Sequence, residues 1–185
     1  MHSVGVFCGA KTGAERVFAD AASAFGTEVA ARGLRLVYGG GSVGLMGVVA
    51  DAALARGGEV VGVLPRDLFA REVAHSGLTE LRQVAGMHER KAEMERLSDA
   101  FVALPGGLGT LDEFFEMATW AQLGIHHKPL GVLEVGDFFT PLRAYLTAAC
   151  EAGFIAPEHL APIAFAREPG KLLERLAGAW RERTG

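Results

Sequence analysis

The sequence predicts a single doubly wound α/β domain, with a mostly parallel sheet flanked by helices. Short β-branched or apolar runs alternate with longer helical patterns, which is the rhythm of parallel β-α units. The runs are apolar without alternation, as in strands covered on both faces. Glycine-rich corners follow two of them directly, and sheets of this kind bind ligands at the carboxyl ends of their strands. At 185 residues the chain suits one core, so residues 1–185 are read as one Rossmann-like domain, without internal repeat, low-complexity tract or linker.

The first run, Val4-Gly5-Val6-Phe7-Cys8, predicts a strand over 4–7; it is too short for the apolar core of a secretory signal and lacks the basic flank. A helix is expected over 14–31, a strand over 35–38 and, after a glycine-rich corner, a helix over 45–56. The third strand falls at 60–64. Between Pro65 and Gly86 the pattern is irregular, with a short helix near 68–72 and a short strand near 80–84. Helix 87–97 leads into strand 100–104, then a second glycine corner and helix 110–123. Strand 130–134 and helix 138–152 follow. Beyond Gly153, Pro157, Pro162 and Pro169 mark a loop-rich region with a strand over 162–165 and a charged helix over 171–183, read together as a C-terminal lid.

Half the residues are apolar and 22% are charged, the balance of a globular protein rather than a disordered one. A net charge of −4 gives no electrostatic case for a nucleic acid or an anionic membrane as partner. No apolar run approaches the roughly 20 residues that span a bilayer. The two cysteines, Cys8 and Cys150, lack metal-site spacing, so reduced thiols in the cytoplasm are expected, with no structural zinc.

The first glycine corner, Tyr38-Gly39-Gly40-Gly41-Ser42-Val43-Gly44, contains a formal GxGxxG. A dinucleotide site would want an acid at the tip of the next strand, and no carboxylate appears before Asp67. A phosphate or mononucleotide cradle including Gly40 and Gly41 is the preferred reading, with a tight, closely packed turn as the alternative. The second corner, Pro105-Gly106-Gly107-Leu108-Gly109-Thr110-Leu111-Asp112-Glu113, removes side chains just where a helix begins, a favourable place for a phosphate. It lacks the Lys-Ser/Thr ending of an ATP-binding P-loop. Glu113 is expected within the first helical turn, either as a chemical group or as the acid of a capping box with Thr110.

On the helix Met87-His88-Glu89-Arg90-Lys91-Ala92-Glu93-Met94-Glu95-Arg96-Leu97, the residues Met87, Met94 and Leu97 define an inward face, and Arg90 and Lys91 fall on or beside it. An inward cation needs an anion: either Lys91 snorkels outward and Arg90 pairs with a structural carboxylate, or Arg90 stands near Glu113 and a phosphorylated ligand. The pair His126-His127 reads as a solvated turn rather than a metal site. Helix 111–123 is apolar almost all round, so it is either buried in the fold or covered by a second copy.

With those residues in view, the chain resembles the LOG ("lonely guy") family of cytokinin riboside 5′-monophosphate phosphoribohydrolases. The resemblance rests on Val37-Tyr38-Gly39-Gly40-Gly41-Ser42-Val43-Gly44-Leu45-Met46-Gly47, on Met87-His88-Glu89-Arg90-Lys91-Ala92-Glu93-Met94, on the corner 105–113, and on Thr119-Trp120-Ala121-Gln122-Leu123-Gly124-Ile125-His126, in order. It implies hydrolysis of the N-glycosidic bond of adenosine 5′-monophosphate, N6-modified or plain, to free base and ribose 5-phosphate, without cofactor or metal. It also implies Arg90 and Glu113 as the catalytic pair. Substrate contacts would come from Lys91, Gly106, Gly107, Leu108, Gly109, Thr110, Leu111, Asp112, Thr119 and the acid Glu72, in a homodimer whose site lies near the interface. Departures from the family pattern are Leu108 in place of an aromatic, Asp112 in place of Glu, and Gly9-Ala10-Lys11 in place of a Ser-rich turn. Lys11 at the pocket rim is expected to influence the preferred base. Relatives are also labelled lysine decarboxylases, but nothing here identifies a Schiff-base lysine with a pyridinium partner. The rival class is a non-catalytic nucleotide or cofactor carrier of the same fold.

Overall fold

The computed structural model describes residues 1–66 and 74–184. Its centre is β1 (Ser3–Phe7), buried along its whole length. One flank of β1 carries β2 (Arg35–Tyr38), β3 (Val60–Pro65) and β4 (Glu80–Val84) in succession. The other flank carries β5 (Ala100–Ala103), β6 (Leu130–Leu133) and β7 (Ile163–Ala166). The seven strands run in the order β4-β3-β2-β1-β5-β6-β7, and every pairing is parallel. Val4 therefore faces Leu36 on one side and Ala100 on the other.

The apolar runs behave as covered strands should. α1 (Arg16–Ala31), α2 (Gly44–Leu54) and α7 (Pro169–Thr184) lie on one face, where Val6, Phe25, Leu36, Val49, Leu172 and Leu176 form a core. α3 (Met87–Leu97) and α4 (Leu108–Gln122) cover the other, where Phe7, Val37, Met94, Phe101, Phe114 and Met117 pack together. Phe101 and Phe114 are fully buried, and truncating either to alanine would cost about 3–5 kcal/mol. The polar residues of β4 match its place at a sheet edge, where both faces need not be covered.

Several boundaries differ from the sequence reading for local reasons. α4 begins at Leu108 with Gly107 as its N-cap, so Thr110 lies inside the helix and Glu113 falls in the second turn, not the first. The capping-box reading of Thr110 and Glu113 therefore fails. α5 (Thr140–Glu151) carries Pro141 in its opening turn, which leaves Phe138 and Phe139 in the preceding turn. The expected C-terminal lid is not one: β7 completes the sheet, a short helix α6 (Pro157–Leu160) precedes it, and α7 packs against α1 and β6. The helix expected near 68–72, with Glu72, lies outside the described residues.

Candidate active site

Chain order reverses between β1 and β5, and the crevice beyond their carboxyl ends is where an open α/β sheet offers a binding site. A cavity of about 480 Å³ opens there, large enough for a nucleotide-sized ligand. Its floor is made by two backbone turns tied to each other. The Gly9 N–H donates to the Pro105 carbonyl at 3.0 Å, and the Leu45 N–H donates to the Gly9 carbonyl at 2.9 Å. Gly106 has to be glycine, because a Cβ there would fall 2.0 Å from Thr110 Oγ1 and 2.9 Å from the Gly9 nitrogen.

The N-terminus of α4 forms one wall through Gly107, Gly109 and Thr110. Gly107, the N-cap, has no side chain to cap this end and no acid occupies the first turn, so its N–H groups and dipole face the cavity. An anion suits this position. At the base lie Arg90, from α3, and Glu113, from α4, with only 5% and 8% of their surfaces exposed. Arg90 Nη2 stands 3.7 Å from Glu113 Oε1, an ion pair beyond hydrogen-bond length. Arg90 Nη1 contacts Met87 Sδ at 3.7 Å. Cys8 lies close by, and burial, then the Glu113 charge, pushes its thiol well above the usual range, so it stays protonated and inert.

Phe18, Leu45, Met46, Met87 and Phe138 supply an apolar wall, with Phe18 and Phe138 edge-to-face at 5.4 Å between centroids. Lys11 and Thr12 stand at the rim. Sequence reasoning reached Lys11 but missed the two phenylalanines. Neither carries a motif, and only the fold brings them together.

The structure thus gathers Arg90, Glu113, Gly106, Gly107, Gly109 and Thr110 around one cavity. It does not place Lys91, Leu108, Leu111, Asp112, Thr119, Gly40 or Gly41 on that cavity's wall. Lys91 Nζ bridges Asp112, at 3.1 Å, and Glu116. Burial works to lower its pKa, but the bonds to Glu116 and Asp112 outweigh burial and hold it above the ordinary lysine value. Thr119 is exposed, as is Leu108. Gly40 and Gly41 sit behind the cavity, where the Gly40 carbonyl accepts from the His75 N–H at 3.0 Å and Gly41 bridges Ala74. These contacts make a close-packed turn of the corner in the single chain. His126, expected to be solvated, is instead buried against Phe101, with ring centroids 5.6 Å apart.

A protein-family model described as "Possible lysine decarboxylase" matches residues 46–176. A rice protein (Oryza sativa subsp. japonica), named "Probable cytokinin riboside 5'-monophosphate phosphoribohydrolase LOGL2", is 49% identical over 171 residues, covering 92% of this chain and 70% of that one. The chain belongs to the LOG family. Its similarity to LOG1 of Arabidopsis thaliana, a cytokinin riboside 5′-monophosphate phosphoribohydrolase, is 47% identity over 171 residues, covering 92% of this chain and 80% of that one. The LOG fold is shared more widely. The molybdenum cofactor binding protein of Rippkaea orientalis aligns with a TM-score of 0.71 over 96% of each chain, at 21% identity, a likeness of fold alone. Among the described residues, Lys11 is the one lysine that lines the cavity. Lys91 is held as a paired ammonium, and Lys11, on the rim, is exposed.

Proposed function

We propose that this protein hydrolyses the N-glycosidic bond of adenosine 5′-monophosphate, N6-modified or plain, releasing the free base and ribose 5-phosphate. The observation that carries the reading is the buried Arg90–Glu113 pair at the base of a cavity whose wall is an uncapped helix N-terminus. In this reading the 5′-phosphate rests on the N–H groups of the turn 106–110, and the base lies along the apolar wall of Phe18, Met87 and Phe138. As the C1′–N bond breaks, its electron pair leaves with the base and positive charge builds on the ribose. The Glu113 carboxylate stabilises that charge and orients the water that adds to C1′, as glycosidase carboxylates do, and the proton this water gives up ends on the departing base. Arg90 holds Glu113 and the substrate in register. The substrate contacts assigned to Lys91, Leu108, Leu111, Asp112 and Thr119 require a second subunit, and Gly40 and Gly41 have only a supporting place.

A homodimer fits the exposed surface around α4. Leu108, at the start of α4, and Leu123 and Ile125, at and beyond its C-cap, expose 88%, 67% and 62% of their areas, apolar surface at both ends of the helix that a second copy would cover. The free cysteines, Cys8 and Cys150, suit a reducing compartment such as the cytoplasm.

Incubation of the purified protein with AMP and with N6-isopentenyl-AMP tests the reading. Release of base and ribose 5-phosphate supports it. Nucleotide binding without release from either substrate favours a carrier, the rival class, and refutes the hydrolase.

A further inference from the structure

Arg90 is an arginine held by shape more than by hydrogen bonds. Its Nε is buried without a hydrogen-bond partner among the described residues, and its Nη1 meets only the weak acceptor Met87 Sδ at 3.7 Å. The guanidinium nonetheless occupies one place, because it lies directly against the α-carbon of Gly39, just beyond the end of β2. A Cβ on residue 39 would fall 1.9 Å from Arg90 Nη2, 3.1 Å from Arg90 Cζ and 3.2 Å from Met46 Sδ. Nη2 is also the nitrogen that faces Glu113 at 3.7 Å.

We propose that Gly39 is a positioning residue: its missing side chain is the seat that holds the Arg90 guanidinium against Glu113. The first glycine corner therefore acts in the site through the arginine and not through a ligand phosphate. The three close atoms are all ends of flexible side chains, and Gly39 is not among the glycines with positive φ. Its backbone accepts alanine without strain, so the substitution moves Arg90 and leaves the sheet in place. Gly44 is the contrast. Its φ is +62°, and a Cβ there would lie 2.2 Å from the Ala10 carbonyl carbon and 2.4 Å from the Lys11 nitrogen, all backbone. Gly44 serves the fold whatever stands at position 90.

The kinetic part of the test rests on the proposed hydrolase reading; the stability part does not. Gly39→Ala is expected to keep native circular dichroism, lose at least tenfold in kcat on the better of the two nucleotides, and change KM by less than threefold. Thermal melts of wild type, Gly39→Ala, Arg90→Ala and the double variant then form a cycle. With Arg90 truncated the seat is empty, so adding Gly39→Ala should leave the midpoint unchanged, whereas in wild type it lowers it. Gly44→Ala should lower the midpoint equally in both backgrounds. If Gly39→Ala lowers the midpoint equally in both backgrounds, or in neither, the proposal is overturned. Unfolding of Gly39→Ala that Arg90→Ala does not relieve overturns it too. Full turnover of Gly39→Ala in an active enzyme also refutes it. If wild type hydrolyses neither nucleotide, the functional reading fails and the melting cycle alone decides the seat.

Discussion

Removing one partner of the Arg90–Glu113 pair should cost more stability than removing both. The charges approach to 3.7 Å, and their side chains expose only 6% and 11%. At an effective dielectric near 20 the attraction is ~4.5 kcal/mol, against which each charge has lost much of its hydration. Arg90→Met leaves a buried carboxylate short of its counter-charge, and Glu113→Gln leaves a buried guanidinium in the same condition. Each should destabilise by about 3–5 kcal/mol. At roughly 2–4 °C per kcal/mol for a chain of this size, either single variant melts some 6–20 °C below wild type. The double variant carries neither charge and should melt above both of its parents. The assay is calorimetry or urea unfolding of all four proteins, repeated in high salt. Because the pair is buried, the coupling should survive salt that would screen an exposed pair. Additivity of the two single losses to within about 0.5 kcal/mol would refute the claim that these groups act as a pair.

Two further outcomes follow from other parts of the molecule. Light scattering should give a mass twice 19.5 kDa for wild type, and Leu123→Glu with Ile125→Glu should lower it to 19.5 kDa; a wild-type mass of 19.5 kDa overturns the dimer. Burial, the largest influence on His126, holds its imidazole below the usual histidine pKa, so the unfolded chain takes up a proton there more readily than the fold does. Stability from this group is full above about pH 6.5 and is lost as the pH falls below it. Urea midpoints measured from pH 8 to pH 5 should fall less steeply in His126→Leu than in wild type, and an equal fall in both proteins would rule out His126 as the source.

Much of the site could be read from the sequence because its chemistry is local. The corner 105–113 had to be a strand-to-helix turn, and helical spacing alone turned Arg90 inward. The errors arose where one element's end depends on another's packing. Met87 has the spacing of a core residue, yet it opens α3, is 40% exposed and lines the cavity. Thr110 looks like a cap, but an uncapped glycine start at Gly107 takes that place three residues before the expected helix begins. Lys91 shares its helix face with Arg90. Which cation meets the cavity was decided by Asp112 and Glu116 on α4, which claim Lys91. The glycine corner 39–44 carries a nucleotide-binding spacing, and only the position of Arg90 reveals what its first glycine makes room for.

The strand order has a consequence for how the chain reaches this state. β1 precedes every other strand in the chain, yet one of its edges stays unpaired until Ala100 to Ala103 have been synthesised and laid beside Val4 to Phe7. During translation the central strand of the sheet waits beside β2 with an open ladder of N–H and C=O groups, the condition under which nascent chains stick to one another. The docking of β5 closes that edge and, in the same movement, brings the turn after it against Gly9. Protection from aggregation and assembly of the cavity floor are thus a single folding event, so conditions that slow β5 docking should reduce yield and active fraction together.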